Sequence, residues 1–165
     1  MFDKFGEFDS VKEINQKAAE LKAAKDEAGL IVLAAENGID REDAEDYMDD
    51  CVGVLASPLM AAVGKLTVEA AELKLKGVLL DWLDELKVMC SENEEFAVAV
   101  RKKGKDLAGY IAATAEAGYV NRAVVDRRIV EKTVQVKKIL GNHEFAIGIP
   151  DKKTRRELAI KHYLG

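Results

Sequence analysis

The stretch PLMAAVGKLTVEAAELKLKGVLLDWLDELKVMC, residues 58–90, decides how the rest of the chain is read. It opens on Ser57-Pro58, a hydroxyl placed to accept from free amides, followed by a proline at the first helical position. Leu59, Val63, Leu66, Ala70 and Leu73 recur at the three-and-four spacing of one helix face. Leu75, Leu79, Trp82, Leu83, Leu86, Met89 and Cys90 continue it, rotated slightly about the axis. The pattern predicts one central helix of about 50 Å, bent at Gly64, at Lys65-Leu66-Thr67 or at Gly77. Shorter helices would pack against it. The predicted fold class is therefore all-α, a single-domain bundle over residues 1–165. Within it, residues 1–56 read as an acidic helical subdomain and 57–165 as the central helix plus basic C-terminal helices.

Composition agrees with a folded, helical chain. Hydrophobic residues make up 48% and charged residues 33%, against only two prolines, so a core can form and helices are seldom broken. No apolar run approaches the ~20 residues that span a bilayer. Met1-Phe2-Asp3-Lys4 lacks the apolar core of a signal peptide, so the expected location is the cytoplasm. Cys51, beside Tyr47 and Met48, and Cys90, beside Leu83 and Leu86, read as buried reduced thiols rather than a disulfide pair.

The other elements follow from caps and spacing. Phe2, Phe5 and Phe8 suggest an ordered arm over the core. Ser10-Val11-Lys12-Glu13 is a capping box for a first helix with Val11, Ile14, Ala18 and Leu21 inward. A second helix carries Leu30, Ile31, Leu33 and Ala34 and stops at Asn37-Gly38. Asp40 is placed to cap a third, whose inner stripe is Ala44, Tyr47, Met48 and Cys51. After the central helix, Ser91-Glu92-Asn93-Glu94 reads as a second capping box. Phe96, Ala97 and Val100 face inward before a stop at Lys103-Gly104, and Leu107, Tyr110, Ile111 and Thr114 mark a further helix. Residues 126–140 fit a helix ending at Gly141, or else Val134 and Val136 pair with Phe145, Ile147 and Ile149 in a hairpin; the interleaved charges favour the helix. A last helix starts at Pro150-Asp151.

The net charge of −5 conceals a division along the chain. Residues 1–99 carry 10 Lys/Arg against 23 Asp/Glu, and residues 100–165 carry 15 against 7, balances of −13 and +8. One molecule with an acidic and a basic side is the consequence. The acids Glu42, Asp43, Asp46, Asp49 and Asp50 crowd the third helix at repelling spacings, and the last two lie at the end the helix dipole disfavours. Local helix stability does not explain them; they read first as a solvated acidic face and otherwise as a recognition surface, and they are the candidate partner-binding set. Arg101, Lys102, Lys103 and Lys105, for which complementing the negative end of their helix is already a sufficient explanation, and then Lys152, Lys153, Arg155 and Arg156, are the candidate nucleic-acid-binding set. The second four begin a helix, where cations oppose the dipole.

Catalytic and metal chemistry find little foothold. The acidic helix lacks the alternating ligands and central glycine of a calcium loop. His143 and His162 have no ligand-spaced companions, so neither metal nor cofactor is expected. Gly104, Gly109 and Gly118 lack a strand-turn-helix setting for phosphate. No carboxylate pair is singled out by an apolar pocket pattern, and a non-enzyme is the reading.

Several phrases carry a family likeness. They are Met1-Phe2-Asp3-Lys4-Phe5-Gly6-Glu7-Phe8-Asp9-Ser10, Glu72-Leu73-Lys74-Leu75-Lys76-Gly77, Arg101-Lys102-Lys103-Gly104-Lys105, Gly148-Ile149-Pro150 and His162-Tyr163-Leu164-Gly165. Together they resemble small proteins encoded on conjugative and other mobile elements of gut Firmicutes. More distantly they are similar to the PcfK-like family, some members of which inhibit Cas9. The resemblance implies a mobile element contending with host defence or managing its own transfer. In that setting an acidic face could occupy the cationic channel of a CRISPR effector nuclease such as Cas9, a basic protein partner. The alternatives are a nucleic-acid-binding accessory protein for conjugation, using the basic third directly, and a structural helical interaction module.

Overall fold

Side-chain caps set most of the helix starts. Ser10 Oγ accepts from the Glu13 amide at 3.3 Å, Asp26 from Gly29 at 2.8 Å and Ser57 from Met60 at 3.2 Å. Asn93 accepts from Phe96 at 3.1 Å, Asp106 from Gly109 at 2.7 Å and Asp151 from Thr154 at 2.8 Å. Each side chain satisfies an amide the helix cannot pair internally. A computed structural model describes residues 8–165. In it the helices are α1 (Val11–Ala23), α2 (Glu27–Glu36), α3 (Arg41–Met48), α4 (Pro58–Glu72), α5 (Val78–Glu92), α6 (Glu94–Arg101) and α7 (Leu107–Val120). Then come β1 (Ala123–Val124), α8 (Arg127–Val130), α9 (Gln135–Leu140), β2 (Ala146–Ile147) and α10 (Lys152–Leu164). The fold is all-α apart from the two short strands, which pair antiparallel with Ala123 opposite Ile147.

The long central helix is two helices. α4 ends at Glu72 and α5 begins at Val78, and the two pack against each other. Lys74 and Gly77 both take left-handed backbone, φ 52° and 58°, and reverse the chain. The amides of Leu73, Lys74 and Leu75 close the end of α4 on the carbonyls of Glu69, Ala71 and Ala70. Gly77 was one of the anticipated bend points, but the chain there folds back instead of bending.

Two apolar clusters result. Phe8, Ile14, Leu30, Leu33, Tyr47, Leu55 and Ala61 belong to the first; Ala62, Leu66, Trp82, Leu86, Phe96, Leu107, Tyr110 and Tyr163 belong to the second. α4 serves both, with α1–α3 on one side and α5, α6, α7 and α10 on the other. The clusters can meet closely because Gly38 and Gly64 lie against each other. A methyl on Gly64 would stand 2.2 Å from the Asn37 carbonyl oxygen. Among the described residues no helix is long and apolar enough to cross a membrane.

Several local expectations change. Phe8 is buried as expected of the arm, while Phe2 and Phe5 lie outside the described residues. The second capping box is displaced: Ser91 Oγ donates to the Val88 carbonyl within α5, and Asn93 caps α6. Cys51 is exposed beyond the end of α3, whereas Cys90 is buried and its thiol is pushed up to about 12 by desolvation. The single helix over 126–140 is interrupted between Val130 and Gln135. The strand at 146–147 pairs with β1, not with Val134 and Val136 as the hairpin alternative required.

Candidate functional site

The acidic helix α3 stands with its charges in solvent. Ala44 and Tyr47 are buried, Asp43 and Glu45 half-exposed, and Glu42, Asp46, Asp49 and Asp50 exposed. Asp40 occupies the cap position but makes no side-chain bond to the helix. Two of the acids are compensated. Glu45 pairs with Arg41 at 2.6 Å, and Asp50 with Lys22 at 2.6 Å. Lys22 Nζ also donates to the Tyr47 carbonyl and sits 4.6 Å from the centre of its ring. A cation from α1 thus covers the negative end of α3, easing the strain of acids at that terminus. Glu42, Asp43, Asp46 and Asp49 form no ion pair among the described residues. Beside them Cys51, Val52 and Val54 are exposed.

The basic set does not form one surface. Arg101 is corrected outright: it is 1% exposed and donates to the Phe8 carbonyl at 2.9 Å and to Asn37 Oδ1 at 3.0 Å. A guanidinium held between the two clusters cannot reach a phosphate. Lys102 and Lys103 are exposed and Lys105 half-buried. In α10, Arg155 grips Glu85 through two bonds of 2.8 and 2.5 Å, and Arg156 meets Glu92 at 2.6 Å. Lys152 and Arg156 line a shallow groove of about 260 Å³ with Asp81, Asp84, Glu85 and Val88. The basic start of α10, which opposes its own dipole, is thus explained by the acids of α5 facing it. Lys153 alone of the four points away, 3.9 Å from Glu157.

Arg155 holds the Glu85 carboxyl below the ordinary carboxylate value, chiefly by hydrogen bonding. A carboxylate depressed in the folded state stabilises above its unfolded pKa and loses that contribution as pH falls through the folded value. Glu85→Gln is expected to cost about 1–2 kcal/mol at neutral pH, as charge-assisted hydrogen bonds do. The deficit should shrink below about pH 4, measured by urea unfolding across pH. An equal deficit at neutral and acid pH would contradict the assignment.

Sequence reasoning missed a buried polar seam. Lys65 and Glu69, on one face of α4, are 3% and 1% exposed and 3.3 Å apart. Lys65 Nζ donates to the Val100 carbonyl at 2.8 Å and to the Lys105 carbonyl, while Glu69 Oε2 accepts from the Leu107 amide at 2.9 Å. Asn37 Nδ2 donates to the Leu33 carbonyl at 2.8 Å, which turns its oxygen toward Arg101. Burial lowers the pKa of Lys65 and raises that of Glu69, and each charge opposes the shift of the other. The signal was present: the two alternate with Ala62, Leu66 and Ala70 on the inward stripe. Among the described residues no three His, Cys, Asp or Glu side chains converge as a metal site.

In comparisons with protein-family models, curated proteins and solved structures, nothing matches the chain. The PcfK-like resemblance therefore stands on the quoted phrases alone.

Proposed function

We propose that this is a non-enzymatic binding protein of a mobile genetic element that docks its acidic α3 face on the cationic channel of a CRISPR effector nuclease such as Cas9 and inhibits it. One observation carries the reading: four solvent-facing carboxylates, Glu42, Asp43, Asp46 and Asp49, that no described cation neutralises. Carboxylates along a short helix can stand where phosphates would lie against arginines and lysines. The conjugation-accessory alternative has less support, since Arg101 is buried and Arg155 and Arg156 are held by glutamates.

The test is a variant carrying Glu42→Gln, Asp43→Asn, Asp46→Asn and Asp49→Asn. Asp50 is left in place because it anchors Lys22. Circular dichroism should be unchanged, because the substituted side chains lie outside the core. Inhibition of guide-loaded nuclease, at nanomolar protein, should weaken about tenfold or more, mainly through slower association. An equally potent variant overturns the acidic-face mechanism. Failure of the wild type to bind or inhibit any guide-loaded nuclease overturns the reading itself.

A further inference from the structure

The lobe between α7 and α10, residues 121–149, has almost no core of its own. Val130 is its one buried apolar side chain, whereas Val124, Ile129, Val134, Ile139, Ile147 and Ile149 all face solvent. Val134 and Ile139 are 78% and 80% exposed, the barest large apolar residues of the described chain. Val134 and Ile139 stand at either end of the short helix α9, and bare aliphatics that close together mark a surface that another molecule covers. The lobe is tied to the body where Gly118 and Gly148 touch: a methyl on Gly148 would stand 1.8 Å from the Gly118 carbonyl oxygen.

The charges of the lobe select the occupant. Arg127 and Lys137 both bind Glu131, Arg128 binds Asp126, and Arg122 lies 4.1 Å over the Tyr119 ring. Lys132 and Lys138 have no ion-pair partner among the described residues. Lys132 and Lys138, unengaged and within two residues of the bare Val134 and Ile139, suit an acidic protein surface with apolar side chains of its own better than a run of phosphates. Such a surface exists in this chain: Glu42, Asp43, Asp46 and Asp49 lie on or just past α3, and the exposed Val52 and Val54 follow its end. It belongs to the first apolar cluster, whereas the lobe hangs from α7 and α10 of the second.

We infer that the 121–149 lobe docks the acidic α3 surface of a second copy of this chain. The aliphatics supply the holding energy by leaving water, and the lysines against the carboxylates set orientation and rate. The inference does not rest on the nuclease reading, and its test uses the purified full chain alone. In sedimentation velocity over a concentration series at low salt, the wild type should show species heavier than the 18.1 kDa monomer. Raised salt should weaken the association, because the charges lie at the surface. Val134→Ser with Ile139→Ser should weaken it about tenfold or more, with the helical signal retained. Lys132→Glu with Lys138→Glu, and separately Glu42→Lys with Asp46→Lys, should each do the same. Mixing those two charge variants in equal amounts should restore association, because the reversed lobe of one then meets the reversed helix of the other. A wild type that stays monomeric throughout, association indifferent to the lobe variants, or a mixture no better than its parts would each overturn the inference. So would a monomer that binds labelled DNA or RNA through Lys132 and Lys138.

Discussion

Replacing Lys65 by Met is expected to destabilise the protein by about 3–5 kcal/mol at neutral pH, the usual cost of leaving a buried charge without its partner. The ammonium has three carriers of negative charge around it: the Glu69 carboxylate and the carbonyls of Val100 and Lys105. Methionine fills similar volume but answers none of them. Burial already holds the Glu69 carboxyl above its ordinary value, and Lys65 is the largest influence pulling it down. Without Lys65 the carboxyl rises further and tends to fold protonated. A group raised in the folded state contributes fully below its unfolded pKa, about 4.3 for a glutamate, and loses that contribution as pH rises through the folded value. The deficit of Lys65→Met should therefore be smaller at about pH 5 than at about pH 8, as read by urea unfolding at each pH. Adding Glu69→Gln removes the stranded charge but keeps an oxygen for the Leu107 amide. The double variant should recover about half of the loss. A double variant worse than the single one would mean that Glu69 stabilises independently of Lys65.

What the sequence allowed to be read, and what it did not, divides by range. The starts of α1 and α4 and the end of α2 were legible in Ser10, in Ser57-Pro58 and in Asn37-Gly38, because caps act over three or four residues. The break between α4 and α5 was not. Leu73, Leu75 and Leu79 remain partly buried through the turn, so the apolar spacing continues while the backbone reverses at Lys74 and Gly77. Charge identity was equally plain, but its partner was not. Arg155 meets Glu85 across 70 positions, and Arg101 meets the Phe8 carbonyl across 93. A cation on a helix stripe looks the same in sequence whether it ends in solvent, like Lys102, or in a seam, like Arg101. The acids of α3 were read as solvent-facing for a reason that survives: Ala44 and Tyr47 fix which side of that helix is inward.

Truncating Trp82 to Ala should cost about 3–5 kcal/mol, the range for a large aromatic removed from a core. Trp82 is 6% exposed near the start of α5, in the cluster with Ala62, Leu66, Ala70, Leu83 and Leu86. Alanine would leave a void where the α4–α5 hairpin closes. Its Nε1 hydrogen, however, is buried without an acceptor among the described residues. An unpaired buried donor costs about 1–3 kcal/mol, so Trp82→Phe removes a penalty along with part of the packing. The phenylalanine variant should then lose far less than the alanine one, about 1.5 kcal/mol or less, because the relieved penalty offsets the lost packing. Unfolding should be followed by circular dichroism, since both variants lose the only tryptophan. Hydrogen exchange separates this effect from that of Lys65→Met. Trp82 belongs to the second cluster, so Trp82→Ala should speed exchange in α5, α6 and α7 before α1 and α2. Lys65, on the helix both clusters share, should loosen the two sets together. Uniform acceleration in the Trp82→Ala variant would show that the clusters unfold as a single unit, with the polar seam transmitting the loss from one to the other.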